Sequence, residues 1–378
     1  MRAHSRVAGA GAAVAILLVA GCSSAGSKPA AAPRVRTVTV HLVATGCSPR
    51  ALSLRAGATK FIVANTAAPA FNEFEIHKGS NIIAEAELVA PGVSKTFAIT
   101  LAPGHYTTLC KGGATQSGSG TLVVTGKVSH AQSGISAEAA AQAVTRYRTY
   151  LDTQADALVA RTSPFVDAVE RGDIAQAKAL YAAARVPYER IEPVAESFGD
   201  LDPRIDAREN DVAAGHWSGF HRIERALWVE NDVTAMGPTA RQLLTDVTTL
   251  DHLVRTVPLQ PATIANGAVE LLNEVTTSKI TGEEERYSHL DLVDVAANVQ
   301  GSQAAFDAVA PLLPTSGAVS PHVIDARFTD IDHVLTPFRR GSGWVSYATL
   351  TPTDTRAISQ ATDGVAEPLS RVAELVLL

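Results

Sequence analysis

Two periodicities divide the chain. From Val35 to Val124 apolar and polar residues alternate in short runs, which predicts strands at Val35–Val43, Ala51–Leu54, Lys60–Asn65, Phe74–Lys78, Ile82–Ala86, Lys95–Thr100, Gly104–Leu109 and Gly120–Val124. Turn pairs such as Ala56-Gly57, Pro91-Gly92 and Pro103-Gly104 separate them. Short strands at this spacing predict a β-sandwich. After a Ser/Gly stretch (Ser129 to Gly134) the period becomes helical, with helices expected near 136–171, 173–198, 212–230, 237–256, 260–279, 283–312, 320–338 and 353–377. Asp173, Thr281 and Thr353 stand at or near the predicted starts, where such side chains satisfy orphan amides. Pro187, inside the second helix, should bend it. Eight helices joined by short loops suggest antiparallel packing as two four-helix units.

Composition narrows the classes. The chain has 378 residues, is 46% hydrophobic and carries a formal net charge of −6, which excludes a disordered polar chain and disfavours a nucleic-acid partner. Arg2 and Arg6 precede an apolar run (Val7 to Ala20) too short to span a bilayer and shaped like a secretory signal. It ends in Val19-Ala20-Gly21-Cys22, which resembles a lipobox, and Ser23 to Pro33 reads as a tether. Residues 1–21 are therefore expected to be a signal peptide, and 22–34 a tether joined to the lipid bilayer through lipidated Cys22. Residues 35–125 are the expected sandwich, 126–135 a linker and 136–378 the helical domain. The charge is uneven. Residues 36–125 hold seven Lys/Arg against four Glu, whereas residues 135–378 hold 20 Lys/Arg against 34 Asp/Glu.

The segment Leu101 to Cys110, with its Pro103-Gly104 turn leading into a Cys-bearing strand, resembles the end of a cupredoxin. No His or Met follows Cys110 closely, so a type 1 copper site is not expected. Cys47 and Cys110 leave two readings open. They form a disulfide, as paired cysteines in exported proteins do, or they bind metal together with Glu73. Glu75 shares the face of Glu73. A carboxylate there would favour iron, and thiolates would also hold copper. His77 and His105 are expected at the surface.

In the helical region, His221 and Glu224 are three apart and so leave one helix face together, spaced to grip a metal ion. Between Glu189 and Asp232, 11 of 44 residues are acidic. Glu189, Glu192 and Glu196 form one stripe of the predicted second helix, and such crowding repels unless it is solvated or holds a cation. The run Glu283 to Glu285 reads as a solvated helix start, with His289, His322 and His333 at the surface and Trp217 and Trp228 sealing one helix face.

The motif Gly219-Phe-His221-Arg-Ile-Glu224-Arg-Ala-Leu-Trp228, with Tyr188 to Glu196 upstream and Lys279 to His289 downstream, resembles the imelysin-like domain of the EfeO family. Members carry a cupredoxin-like domain before it. The resemblance implies an all-β cupredoxin-like sandwich followed by an all-α imelysin-like bundle. It implies an extracytoplasmic, non-enzymatic iron-binding component, with a membrane iron permease and a haem peroxidase as partners. It also implies a metal site of His221, Glu224, Glu189 and, as second carboxylate, Asp206, with Glu192, Asp200, Asp202 and Glu209 close enough to substitute. Such a donor set suits iron, although raw affinity would favour copper or zinc. Two metal sites in tandem domains could pass an ion or an electron between them. The competing readings are a zinc metallopeptidase of the imelysin type, against which stands the lack of a His-Glu-x-x-His run, and an adhesion or polysaccharide-binding module with structural metal.

Overall fold

The computed structural model describes residues 35–112, 116–129 and 134–378. The signal segment, Cys22, its tether and most of the Ser/Gly stretch lie outside the described residues. Alternation gives eight strands: β1 Arg36–Val43, β2 Gly46–Ser48, β3 Ala51–Asn65, β4 Glu73–Lys78, β5 Asn81–Ala86, β6 Ser94–Leu101, β7 Gly104–Gly112 and β8 Gln116–Ser129. Two expected strands, Ala51–Leu54 and Lys60–Asn65, are one strand. β3 bends at a register shift between Arg55 and Gly57, so its first part pairs with β8 and its second with β1 and β6. A bulge of this kind lets one strand serve both layers of a sandwich. β2, three residues long, was too short for alternation to reveal.

Between the layers Phe61, Phe74 and Phe97 form a buried aromatic cluster, with Phe61 and Phe97 in register and their centroids 5.1 Å apart. Burying each ring contributes about 2–3 kcal/mol. Cys47 on β2 and Cys110 on β7 are joined by a disulfide. This corrects the metal reading for both cysteines, because sulfurs bonded to each other offer no thiolate. Register separates Glu73 from them as well. Cys110 pairs with the inward Phe74, whereas Glu73 pairs with Lys111 and so leaves the opposite face.

The helical part comprises α1 Ala137–Glu170, α2 Ile174–Glu189, α3 Gly219–Arg225, α4 Gly237–Val254, α5 Pro261–Thr277, α6 Asp291–Val309, α7 Pro321–Leu335 and α8 Pro352–Leu369. Asp173 caps α2 by accepting from the Gln176 amide at 3.0 Å, and Thr351, rather than Thr353, caps α8. Instead of two four-helix units there is one continuous apolar core. α6 runs through its middle with 14 of 19 residues buried, which is why its sequence has no polar face to read. The expected helices at 173–198, 212–230 and 283–312 are shorter. Chain at 190–218 passes through short helical turns and chain at 282–290 turns irregularly, and it is this chain that carries many of the acids.

The helical domain also covers a sheet edge. Among the described residues β6 pairs only with β3, and the side-chain amides of Asn266 on α5 and of its N-cap Gln260 bond the free β6 backbone at Ala98 and Thr100, at 2.9–3.3 Å. Four hydrogen bonds thus dock the two domains where an edge strand would otherwise be open.

Candidate metal centre

Three local breaks in regular structure assemble the site. α2 stops two residues after Pro187, and the main-chain carbonyl of Glu189 accepts from Asn298 Nδ2 of α6 at 2.8 Å. Close approach at that break requires Gly301, because a Cβ there would lie 2.4 Å from the Arg190 carbonyl oxygen. The second break leads into α3. Gly219 has φ +81°, and a Cβ on it would meet the Ile205 carbonyl oxygen at 2.1 Å. Glycine two residues before His221 therefore lets the chain at Asp206 pack against the start of the histidine's helix. The third is the turn at 282–290, which turns Glu284 and Glu285 inward.

His221 is 1% exposed, and its two ring nitrogens have different surroundings. Nδ1 donates to Glu224 Oε2 at 3.1 Å. Nε2 has no hydrogen-bond partner among the described residues and lies 3.5 Å from Glu284 Oε1 and 3.6 Å from Asp206 Oδ1. Asp206, His221 and Glu284 each present one ligand atom within 4.8 Å of the others, and Glu189, Glu192, Asp206 and Glu284 form an adjoining group by the same measure. Glu224 belongs to neither. Its Oε1 accepts the amides of Tyr287 (3.0 Å) and Ser288 (2.8 Å), while its Oε2 holds the ring at Nδ1. The two residues do leave one helix face together, and they meet through one ring nitrogen while the other faces Asp206 and Glu284.

The expected residues distribute as follows. Asp206 converges with His221, whereas Glu189 belongs to the adjoining carboxylate group and is already paired, accepting from Arg185 and from Lys279 Nζ at 2.6 Å. Glu192 pairs with the same lysine at 2.6 Å. Asp202 accepts from Tyr188 Oη, Glu209 from Arg225 and from Tyr287 Oη, and Asp200 is exposed. Sequence reasoning placed Glu284 and Glu285 in solvent, yet they are 4% and 0% exposed. Buried Arg185 and Lys279 were not anticipated either. Two signals pointed to them: the acidic run lies in the downstream motif quoted above, and Arg185 stands four residues before Glu189, on the same face of α2. Trp217 and Trp228 do not share a face. Trp217 precedes α3 and donates to the Ala207 carbonyl, while Trp228 packs edge-on to Tyr181.

Charge explains the tension. Nine buried carboxyl groups (Glu189, Glu192, Asp206, Glu224, Glu274, Glu284, Glu285, Asp291 and Asp294) surround three buried cationic side chains, Arg185, Lys279 and His221. Burial pushes most of these acids toward the neutral form, raising Asp206 and taking Glu285 up to about 8. Glu224, lowered against its burial by His221 and by the Ser288 and Tyr287 amides, is one exception, and Glu284 is another. Burial opposes its charge, but Lys279, His221 and Arg208 outweigh that and hold it ionised. For His221, burial and the Arg185 guanidinium disfavour protonation, yet Asp206, the hydrogen bond to Glu224 and the nearby Glu284 carboxylate raise the ring to about 10. Without a metal the imidazolium is itself a resident cation.

In the sheet domain Glu73 lies in a group with Glu85 and Glu87. Burial and the neighbouring Glu75 raise Glu73 to about 9. Glu75, despite its burial, is held at about 2 by His77 at 2.5 Å, with Glu73 and Lys111 adding to the effect. His77 is thus a half-buried partner of Glu75, whereas His105, His289, His322 and His333 are exposed as expected. No helix among the described residues is long and apolar enough to cross a membrane.

Residues 143–372 match the Imelysin family model, and residues 12–124 match that of a cupredoxin-like domain. The protein named "Iron uptake system component EfeO" in Escherichia coli (strain K12) is 38% identical over 343 residues, covering 89% of this chain and 91% of that protein. Its namesake in Shigella flexneri gives the same figures. That of Escherichia coli O1:K1 / APEC is 39% identical over 331 residues, with 86% and 88% covered.

Proposed function

The chain belongs to the imelysin family and, within it, to the EfeO iron uptake system components, and from that membership we propose that it captures iron outside the cytoplasmic membrane and passes it to a membrane permease. The observation that carries the reading is the buried, unpartnered Nε2 of His221 facing carboxylate oxygens of Asp206 and Glu284. One imidazole nitrogen and two carboxylate oxygens suit iron, and availability outside the cell adds to selectivity over copper and zinc. Glu224 orients the ring and Glu189 supplies charge, while Arg185 and Lys279 keep the carboxylates gathered before an ion arrives. Those resident cations also limit affinity, which a carrier needs in order to release its cargo. No bond-breaking step is required of these residues. We further infer that lipidated Cys22 tethers the protein at the outer surface of the membrane, where the permease and a haem peroxidase would be its partners.

The test is an anaerobic titration with Fe(II). Wild-type protein binds, and His221→Ala loses at least tenfold in affinity with its fold intact by circular dichroism. Equal affinity in that variant would remove the reading.

A further inference from the structure

Acidic groups continue from the helical site toward the sheet domain. Glu87 follows β5 in the sheet domain, Glu196 lies in the turn after α2, and Glu274 is on α5. One oxygen from each lies within 4.8 Å of the other two. They line a cleft of about 260 Å³ that Asp206 and Glu284 also reach, so it opens onto the His221 site. Glu274 adds an independent sign. The residue is 6% exposed, its Oε1 has no hydrogen-bond partner, and its only cationic neighbour within 4.0 Å among the described residues is Lys279, 3.3 Å from Oε2. Neither Glu87 nor Glu196 has a cationic side chain within that distance among the described residues. An orphaned buried carboxylate oxygen is expensive unless something fills the space before it.

We propose that Glu87, Glu196 and Glu274 form a second cation site at the boundary between the two domains, taking a hard, oxygen-preferring metal ion. Three carboxylates without nitrogen or sulfur select for such ions. Glu87 also belongs to the Glu73–Glu85–Glu87 group, and Glu274 shares Lys279 with Glu189 and Glu192, so the site joins the acids of both domains. An ion held there would be a stop between the helical site and the sheet. The inference rests on the protein being a cation binder but not on His221 being a ligand.

The experiment titrates the full mature chain with Mn(II) and counts bound ions by the electron paramagnetic resonance of free Mn(II). Glu87 and Glu196 are only half-buried, so Glu87→Gln and Glu196→Gln probe the site without emptying the core. Wild type should bind two ions, each Gln variant should weaken the same one by at least tenfold, and His221→Ala should weaken the other. If either Gln variant binds as wild type does, the interdomain site is overturned while the His221 reading stands. If both Gln variants lose an ion but His221→Ala does not, the interdomain site stands and the His221 reading falls.

Discussion

Replacing Arg185 with Met should be among the most damaging single changes in the helical domain. Its guanidinium is fully buried and is bound by Asp206 and Glu189, with Glu285 at 2.7 Å, Glu284 at 3.3 Å and Asp294 at 3.8 Å, and it lies over the Phe220 ring. Met fills much of the volume but leaves these carboxyls facing one another. Breaking a buried pair by removing one partner costs about 3–5 kcal/mol. Arg185→Lys keeps the charge and loses the fork, so it should cost less. All three tryptophans (Trp217, Trp228 and Trp344) lie in the helical domain, and urea unfolding followed by their fluorescence therefore reports the affected domain. The penalty should also shrink from pH 7 to pH 5, as the released carboxyls take up protons that replace the missing cation. A loss below about 1 kcal/mol at pH 7, or a Lys variant less stable than the Met variant, would refute the view of Arg185 as the clamp of the acid cluster.

Other outcomes follow from the same geometry. With His221 held at about 10, an ion arriving at Nε2 at pH 7 must expel a proton, so binding should release about one proton from the ring and tighten as pH rises toward 10. Calorimetry in buffers of different ionisation enthalpy counts that proton, and zero would contradict the assignment. The metal-free protein should behave oppositely. A histidine raised in the folded state contributes stability that is fully present below about pH 6.5 and is lost as pH climbs to about 10, which thermal unfolding across that range would show. Glu224→Gln preserves shape but removes the anionic anchor, and should weaken metal binding about 10- to 100-fold without abolishing it; full loss would make Glu224 a ligand. Cys47→Ser with Cys110→Ser opens a loop of sequence separation 63 and should destabilise the sheet domain by about 4 kcal/mol while leaving the number of bound Mn(II) ions unchanged.

The fold was legible where periodicity is local. Alternation located the strands to within a few residues, except for three-residue β2 and the bend at Arg55 that makes two apparent strands one. Helical period located the long helices, but it ran through Glu189 to Phe198 and Glu283 to Leu290 because nothing in a 3.6-residue pattern registers a packing demand such as Asn298 bonding the Glu189 carbonyl. The site was half legible for the same reason. His221 and Asp206 could be named from motif and neighbourhood, whereas Glu284, Arg185 and Lys279 are brought in by tertiary contacts. Cys110 and Glu73 looked like partners in sequence, yet strand register sends them to opposite faces. Gly219 was part of the motif, and only the 2.1 Å approach to the Ile205 carbonyl explains why glycine stands there.

The proposed iron site consists of His221 Nε2 with Asp206 and Glu284. Crystals of the iron-loaded protein, measured with anomalous scattering on both sides of the iron edge, test it most directly. A peak is expected about 2.0–2.2 Å from Nε2, with carboxylate oxygens of Asp206 and Glu284 completing the contact and Glu224 still on Nδ1. Iron bound elsewhere, with the space before Nε2 empty in the loaded crystals, would contradict it.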